Sequence, residues 1–180
     1  NQVPENAKAI IIVGPKKPIS AEEITLLESY LDNGGSLVVM EDPLALTDFK
    51  DQDDPLAKTL SDKWGIVLNN DFIIDPNGNP PIIAVGDPGM YASHPITQKL
   101  SGLFTLFPRS RSISTMGDPA NVERTILVKT TDNAWGETNV ESIGQDVRFD
   151  EGIDIPGPLS LAIAAENKDT KDRVVVFGNS

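Results

Sequence analysis

Two strand-helix-strand units fill the first 75 residues, and in each the polar residues gather just past a strand. Ala9-Ile10-Ile11-Ile12-Val13 runs directly into Gly14-Pro15-Lys16-Lys17, and Leu37-Val38-Val39-Met40 into Glu41-Asp42-Pro43. Unbroken apolar runs of this length are the pattern of parallel strands buried on both faces, and in open α/β sheets ligands collect at the carboxyl ends of such strands. The helices between them are signalled as clearly. Ser20 and Glu23 form a capping box, Ile24, Leu27 and Leu31 recur at helical spacing, and Asn33-Gly34-Gly35 closes the helix before a strand at 36–41. Asp54-Pro55 opens a second helix with the buried stripe Leu56, Ala57, Leu60 and Trp64, Gly65 ends it, and Phe72-Ile73-Ile74 reads as strand three.

After Asp75 the punctuation changes. Pro76-Asn77-Gly78-Asn79-Pro80-Pro81 is a turn cluster. Beyond it the pattern predicts strands at Ile82–Val85, Leu103–Leu106, Arg111–Ser114, Thr125–Lys129, Leu159–Ala165 and Arg173–Phe177, with a short helix from His94 to Leu103. Arg111–Ser114 and Thr125–Lys129 are expected to pair with each other, antiparallel. Residues 133–157 hold Asn133, Gly136, Asn139, Gly144, Gly152, Pro156 and Gly157 with few apolar residues, and a loop of that length is expected to serve as a partner-binding flap.

A chain of 180 residues suffices for one buried core, so residues 1–180 are read as a single domain. The strand that stops at Gly178-Asn179-Ser180 suggests a soluble fragment cut from a longer protein. Fifteen basic against 27 acidic residues give a net charge of -12, which argues against nucleic acid, whose binding rests on clustered Lys and Arg. The absence of cysteine excludes thiol catalysis, disulfides and Cys-ligated zinc. No run reaches the ~18 apolar residues of a membrane span.

Candidate chemistry centres on the strand ends. Gly14 and Pro15 stand where a phosphate loop would begin, but the glycine spacing is missing and prolines remove amides. Glu41 and Asp42 are placed for a hard cation or a ligand, yet no spacing of converging oxygens accompanies them, and no metal or cofactor is expected. His94, the one histidine, sits in Ser93-His94-Pro95 and reads as a helix cap, with general-base chemistry as the alternative. Trp135, beside Glu137, reads as a loop anchor or a stacking platform for a sugar or peptide. Arg109-Ser110-Arg111-Ser112 is a local basic patch, expected to pair at the surface with carboxylates of the 141–154 loop.

Several strings together resemble the extracytoplasmic domain of the ABC-type transport auxiliary family, which includes gliding-motility auxiliary proteins and is related to the N-terminal domain of an intraflagellar transport subunit. They are Ala9 to Ser20, Tyr30 to Leu37, Glu41-Asp42-Pro43, Trp64-Gly65-Ile66 with Asp71 to Pro76, His94 to Thr97, Arg109 to Ser112, Asn133 to Thr138, Gly157-Pro158-Leu159 and Val174 to Ser180. The resemblance implies an α/β three-layer sandwich, flavodoxin-like and class I glutamine amidotransferase-like, with a mostly parallel sheet and some antiparallel strands mid-chain. It further implies a membrane-anchored protein working with ABC permease and ATPase subunits, its soluble domain outside the cytoplasm on the periplasmic or cell-surface side. The family offers no catalytic residues to carry over, and the cysteine of the amidotransferases is missing. The expectation is therefore a non-enzymatic domain binding a partner, small ligand or sugar through Gly14, Pro15, Glu41, Asp42, Gly178 and Asn179, with His94, Trp135 and Glu137 as further candidates. The alternatives are a carboxylate-dependent hydrolase or sugar-active enzyme using Glu41, Asp42 or Asp132, and a structural or dimerising module.

Overall fold

The structure, a computed structural model, describes residues 3–4, 6–50, 52–143 and 147–180; residues 144–146 of the expected 133–157 flap lie outside the described residues. The first unit forms as its sequence requires, whereas the second keeps its helix but not its expected third strand in the main sheet. Strand β1 (Ile10–Val13) leads through helix α1 (Ala21–Asp32) to β2 (Ser36–Met40), parallel to it in register from Ile10 opposite Leu37 to Val13 opposite Met40. At the start of α1, Ser20 Oγ accepts from the Glu23 amide at 3.3 Å and the Glu23 carboxylate accepts from the Ser20 amide at 3.0 Å. Helix α2 (Pro55–Trp64) is capped by Asp54, whose Oδ1 accepts from the amides of Leu56 and Ala57, and it stops at Gly65 in the left-handed conformation, φ 60°.

Beyond Gly65 the expected alternation of strand and helix does not continue. Among the described residues ten strands follow it: β3 (Ile66–Leu68), β4 (Phe72–Ile74), β5 (Ile83–Gly86), β6 (Thr105–Pro108), β7 (Ile113–Thr115), β8 (Val122–Lys129), β9 (Trp135–Glu137), β10 (Ile155–Pro156), β11 (Ser160–Asn167) and β12 (Arg173–Phe177). The main sheet runs β1-β2-β12-β11-β7-β3, with β8 also paired to β11. Among the described residues only β1 with β2 and β2 with β12 are parallel; the other pairings, and both smaller sheets β10-β9-β4 and β5-β6, are antiparallel. The mostly parallel, flavodoxin-like or amidotransferase-like sandwich is thus overturned: the fold is mostly β, with two α-helices among the described residues.

The reason is topological. A parallel pair needs a long crossover, usually a helix, and beyond Trp64 the chain offers mostly short apolar runs broken by Pro and Gly, which close antiparallel, before β12 returns beside β2 in the parallel sense. Phe72–Ile74 accordingly leaves the main sheet to pair with β9. Arg111–Ser114 and Thr125–Lys129 do not pair with each other; β7 and β8 both pair with β11. Residues 94–103 form successive turns, not a helix, because one short turn pays the full nucleation cost while the Thr97 hydroxyl bonds the carbonyls of Ala92 and His94.

Both helices lie on one face. Ile24, Leu31, Leu56, Leu60 and Trp64 pack there against Leu37, Val39, Ile163, Val174 and Val176. The opposite face of β11 carries Ala162 and Ala164, which pack with Leu127, Ile73, Ala84 and Phe107 of the β-rich layer. Central strands are therefore buried on both faces, by helices on one side and strands on the other. Leu60→Ala, at a site 1% exposed, is expected to cost about 2–5 kcal/mol in urea unfolding, whereas Val13→Ala at the exposed rim costs under about 1 kcal/mol.

Candidate functional site

The carboxyl ends of β1, β2 and β12 converge, and the sequence places polar residues on all three. Gly14 adopts φ 53°, and a Cβ there would meet Ser180 Oγ at 2.8 Å, so glycine eases the close approach of the β1 and β12 ends. Asp42 fastens this junction: its Oδ2 accepts from Lys16 Nζ at 2.8 Å and its Oδ1 from the Ser180 amide at 2.9 Å. Burial acts to raise the Asp42 carboxyl, but the bonds from Lys16 and Ser180 outweigh it and hold it below the ordinary 3.8. The Glu41 amide donates to the Phe177 carbonyl at 3.1 Å, and Asn179 Nδ2 donates to the Pro108 carbonyl at 3.4 Å.

Below this rim lies a buried charged cluster. Glu41 is 0% exposed and Arg111 2%. Arg111 Nε donates to the Asn69 carbonyl at 2.6 Å and Nη2 to the Leu68 carbonyl at 3.0 Å, closing the end of β3, while Nη1 stands 3.5 Å from Glu41 Oε1. The Arg111 amide donates to the Gly178 carbonyl at 2.8 Å, and a side chain at position 178 would run into the Arg111 backbone. Arg111 is therefore not part of a surface patch paired with the 141–154 loop. Its neighbour Arg109 is exposed, whereas Ser110 and Ser112 are buried with it.

Glu41 Oε2 and Asp54 Oδ2 have no ordinary donor. Burial, followed by the hydrogen bond and charge of Asp54, pushes the Glu41 carboxyl up from 4.5 to about 9, against the opposing pull of Arg111. The physical account is a Glu41 that keeps its proton and directs it at Asp54, so that the fully buried acid beside Arg111 stays neutral. Burial lowers Arg111 from its ordinary value, opposed by Glu41, Asp71 and Asp54. Asp71 is raised by burial, a shift reduced by its bonds from the Ser112 amide at 2.8 Å and hydroxyl at 2.6 Å.

The remaining candidates lie apart from this cluster. Trp135 and Glu137 form β9, with Gly136 packed so closely on Asp71 that a Cβ would strike the carboxylate. Trp135 Nε1 donates to Glu137 Oε2 at 3.5 Å, Glu137 Oε1 accepts from the Asn139 amide at 3.1 Å, and the indole meets the Phe149 ring edge-on at 6.5 Å. His94 Nδ1 accepts from the Ile96 amide at 3.2 Å, a local cap, on the wall of a cleft with Glu123, Glu166 and Arg173. Asp132 is exposed on the turn after β8. Pro15 is half-buried beside the rim. Among the described residues no three His, Asp or Glu side chains group as a metal would need. The sequence does not signal Arg111 and Asp54 as partners of Glu41, because separations such as the 70 residues between Glu41 and Arg111 leave no local pattern.

The retained proton has a signed consequence. The Glu41 carboxyl is raised in the fold, so its stabilisation is full below pH 4.5 and is lost as pH climbs toward about 9, at no more than ~1.4 kcal/mol per pH unit. Asp42 acts oppositely: its contribution is present above 3.8 and is lost as pH falls through its lowered folded value. Glu41→Gln, which mimics the protonated acid, is expected to flatten the fall in urea stability between pH 5 and pH 8.5; an unchanged slope contradicts the retained proton. Arg111→Met, which strands Glu41 and Asp54 without their cation, is expected to cost about 3–5 kcal/mol at pH 7.

Comparison with known proteins places this geometry. The family described as an ABC-type uncharacterized transport system matches residues 1–172. The solved mmIFT52 N-terminal domain is similar at 19% identity with a TM-score of 0.67, over 97% of this chain and 67% of that one. A ThuA-like protein from Bacteroides uniformis is similar at 18% identity with a TM-score of 0.49, over 95% of this chain and 60% of that one. No curated protein matches. At such identities the likeness to mmIFT52 shows a shared fold and nothing about chemistry. The family match covers nearly the whole chain, and the chain belongs to the ABC-type transport auxiliary family.

Proposed function

We propose that this chain is a non-enzymatic binding or assembly module of an ABC-type transport system, acting outside the cytoplasm within a membrane-anchored protein. The observation that carries the reading is how the acids of the strand ends are spent. Asp42 is tied to Lys16 and Ser180, Glu41 is buried against Arg111 and Asp54, Asp71 is held by Ser112, and Glu137 is held by Trp135 and Asn139. An acid–base enzyme needs a carboxyl within reach of substrate and tuned to the working pH. Glu41 keeps its proton but lies at 0% exposure, and Asp132, exposed on its turn, has no hydrogen bond or ion pair among the described residues. These acids serve as joints between chain segments.

Permease and ATPase subunits are the partners this reading names, with a small ligand or sugar secondary to them. The family's transport role supports it, as does the net charge of -12, which disfavours nucleic acid. In cells lacking the full-length protein, Glu41→Gln and Glu137→Gln variants expressed to equal levels are expected to restore transport to within about twofold of wild type. A loss of about 100-fold or more, the scale of a missing general acid, at unchanged thermal stability would instead identify an enzyme. A reporter enzyme active only outside the cytoplasm, fused after Ser180, is expected to be active; an inactive fusion contradicts the location.

A further inference from the structure

Strand β1 ends the main sheet, with β2 on one side and no strand on the other among the described residues. It leaves every second N–H and C=O along that edge without a ladder partner. Natural edges of this kind are kept short, charged or covered. β1 is four consecutive β-branched residues, Ile10-Ile11-Ile12-Val13. On the face away from the helices Ile11 and Val13 are 62% and 58% exposed, next to half-buried Val38 and Met40, their register partners on β2. The β-rich layer that covers β11 does not reach them. On the helix face Ile10 and Ile12 border an open apolar groove of about 340 Å³, walled by Ile19, Leu26 and Leu27, by Val3 and Pro4, and by the charged Glu23. Edge, upper face and lower face are thus all incompletely covered at one strand.

The flanks carry the opposite sign to the chain as a whole. Lys8 and Lys17 bracket β1, both are exposed, and neither has an ion-pair partner among the described residues, on a chain of net charge -12. A second copy would bring the same lysines and the same net negative charge to the contact, so charge favours a different partner, one with carboxylates at the ends of an apolar strand.

We propose that the β1 edge is a docking site for an extended, apolar segment of a partner protein flanked by Asp or Glu, which adds a strand to the main sheet. Main-chain hydrogen bonds to β1 give the affinity, its alternating side chains cover Ile11 and Val13 on one face and fill the groove beside Ile10 and Ile12 on the other, and Lys8 and Lys17 select its flanking charges. This deepens the assembly reading by naming its surface. It fails separately from that reading, since a transport module can dock elsewhere.

The test uses the whole chain and two synthetic peptides, Glu-Thr-Val-Thr-Val-Thr-Val-Glu and the same core flanked by Lys. The acidic peptide is expected to shift the amide resonances of Ile10–Val13, slow their hydrogen exchange, and bind about tenfold tighter than the basic one, the effect of two exposed charge pairs. The paired change Lys8→Glu and Lys17→Glu is expected to reverse that preference, and Ile11→Glu with Val13→Glu to abolish binding while leaving the melting temperature within a few degrees, as suits exposed sites. Four outcomes each overturn the proposal: no binding, binding with resonance shifts away from β1, equal affinity for both peptides, or a concentration-dependent dimer that protects β1 without peptide.

Discussion

One buried guanidinium organises the top of this fold. Arg111 satisfies the last carbonyls of β3, its backbone meets Gly178 at the end of β12, and its charge faces Glu41 at the end of β2 and Asp54 at the start of α2. The ends of β2, β3 and β12 and the start of α2 therefore meet at this one residue. A charge so deeply placed is tolerable only with acids around it, and Glu41, Asp71 and Asp54 all act on Arg111. Asp54 has a double part, since the carboxylate that faces the Glu41 proton also caps α2.

This arrangement explains why the strand ends, the usual place for ligands in α/β sheets, are filled by protein. The glycine at 14 lets the β1 end approach Ser180, Asp42 pins the two together, and the close contact at Gly178 brings Arg111 beneath them. The polar residues that drew notice in the sequence are real neighbours, but their hydrogen bonds run inward. Among the described residues, an unpaired strand edge instead lies at the side of the sheet, along β1.

Local physics was legible in the sequence; long-range pairing was not. The capping box at Ser20 and Glu23, the Asp54-Pro55 start and the Gly65 stop each depend on residues within four positions of one another, and all three form. β1, β2, β11 and β12 announced themselves by apolar runs. Strand direction did not, because an apolar run reads alike whichever way its neighbour points, and the mostly parallel, flavodoxin-like sheet implied by the family resemblance gives way to mostly antiparallel pairing after Trp64. Short strands such as β9 and β10 sat in a segment whose Gly and Pro content reads as loop. Arg111 was hidden most completely, because an Arg between two serines has every surface feature except its surroundings.

The account rests on the proton that Glu41 keeps and directs at Asp54, and the most direct measurement is the carboxyl carbon resonance of Glu41 followed by NMR from pH 4 to pH 10. A midpoint near the value of about 9 set by burial and Asp54 is the predicted result. Titration near the ordinary 4.5 would mean that Glu41 is ionised beside Arg111 as a simple ion pair, and the retained-proton account of the cluster would be wrong.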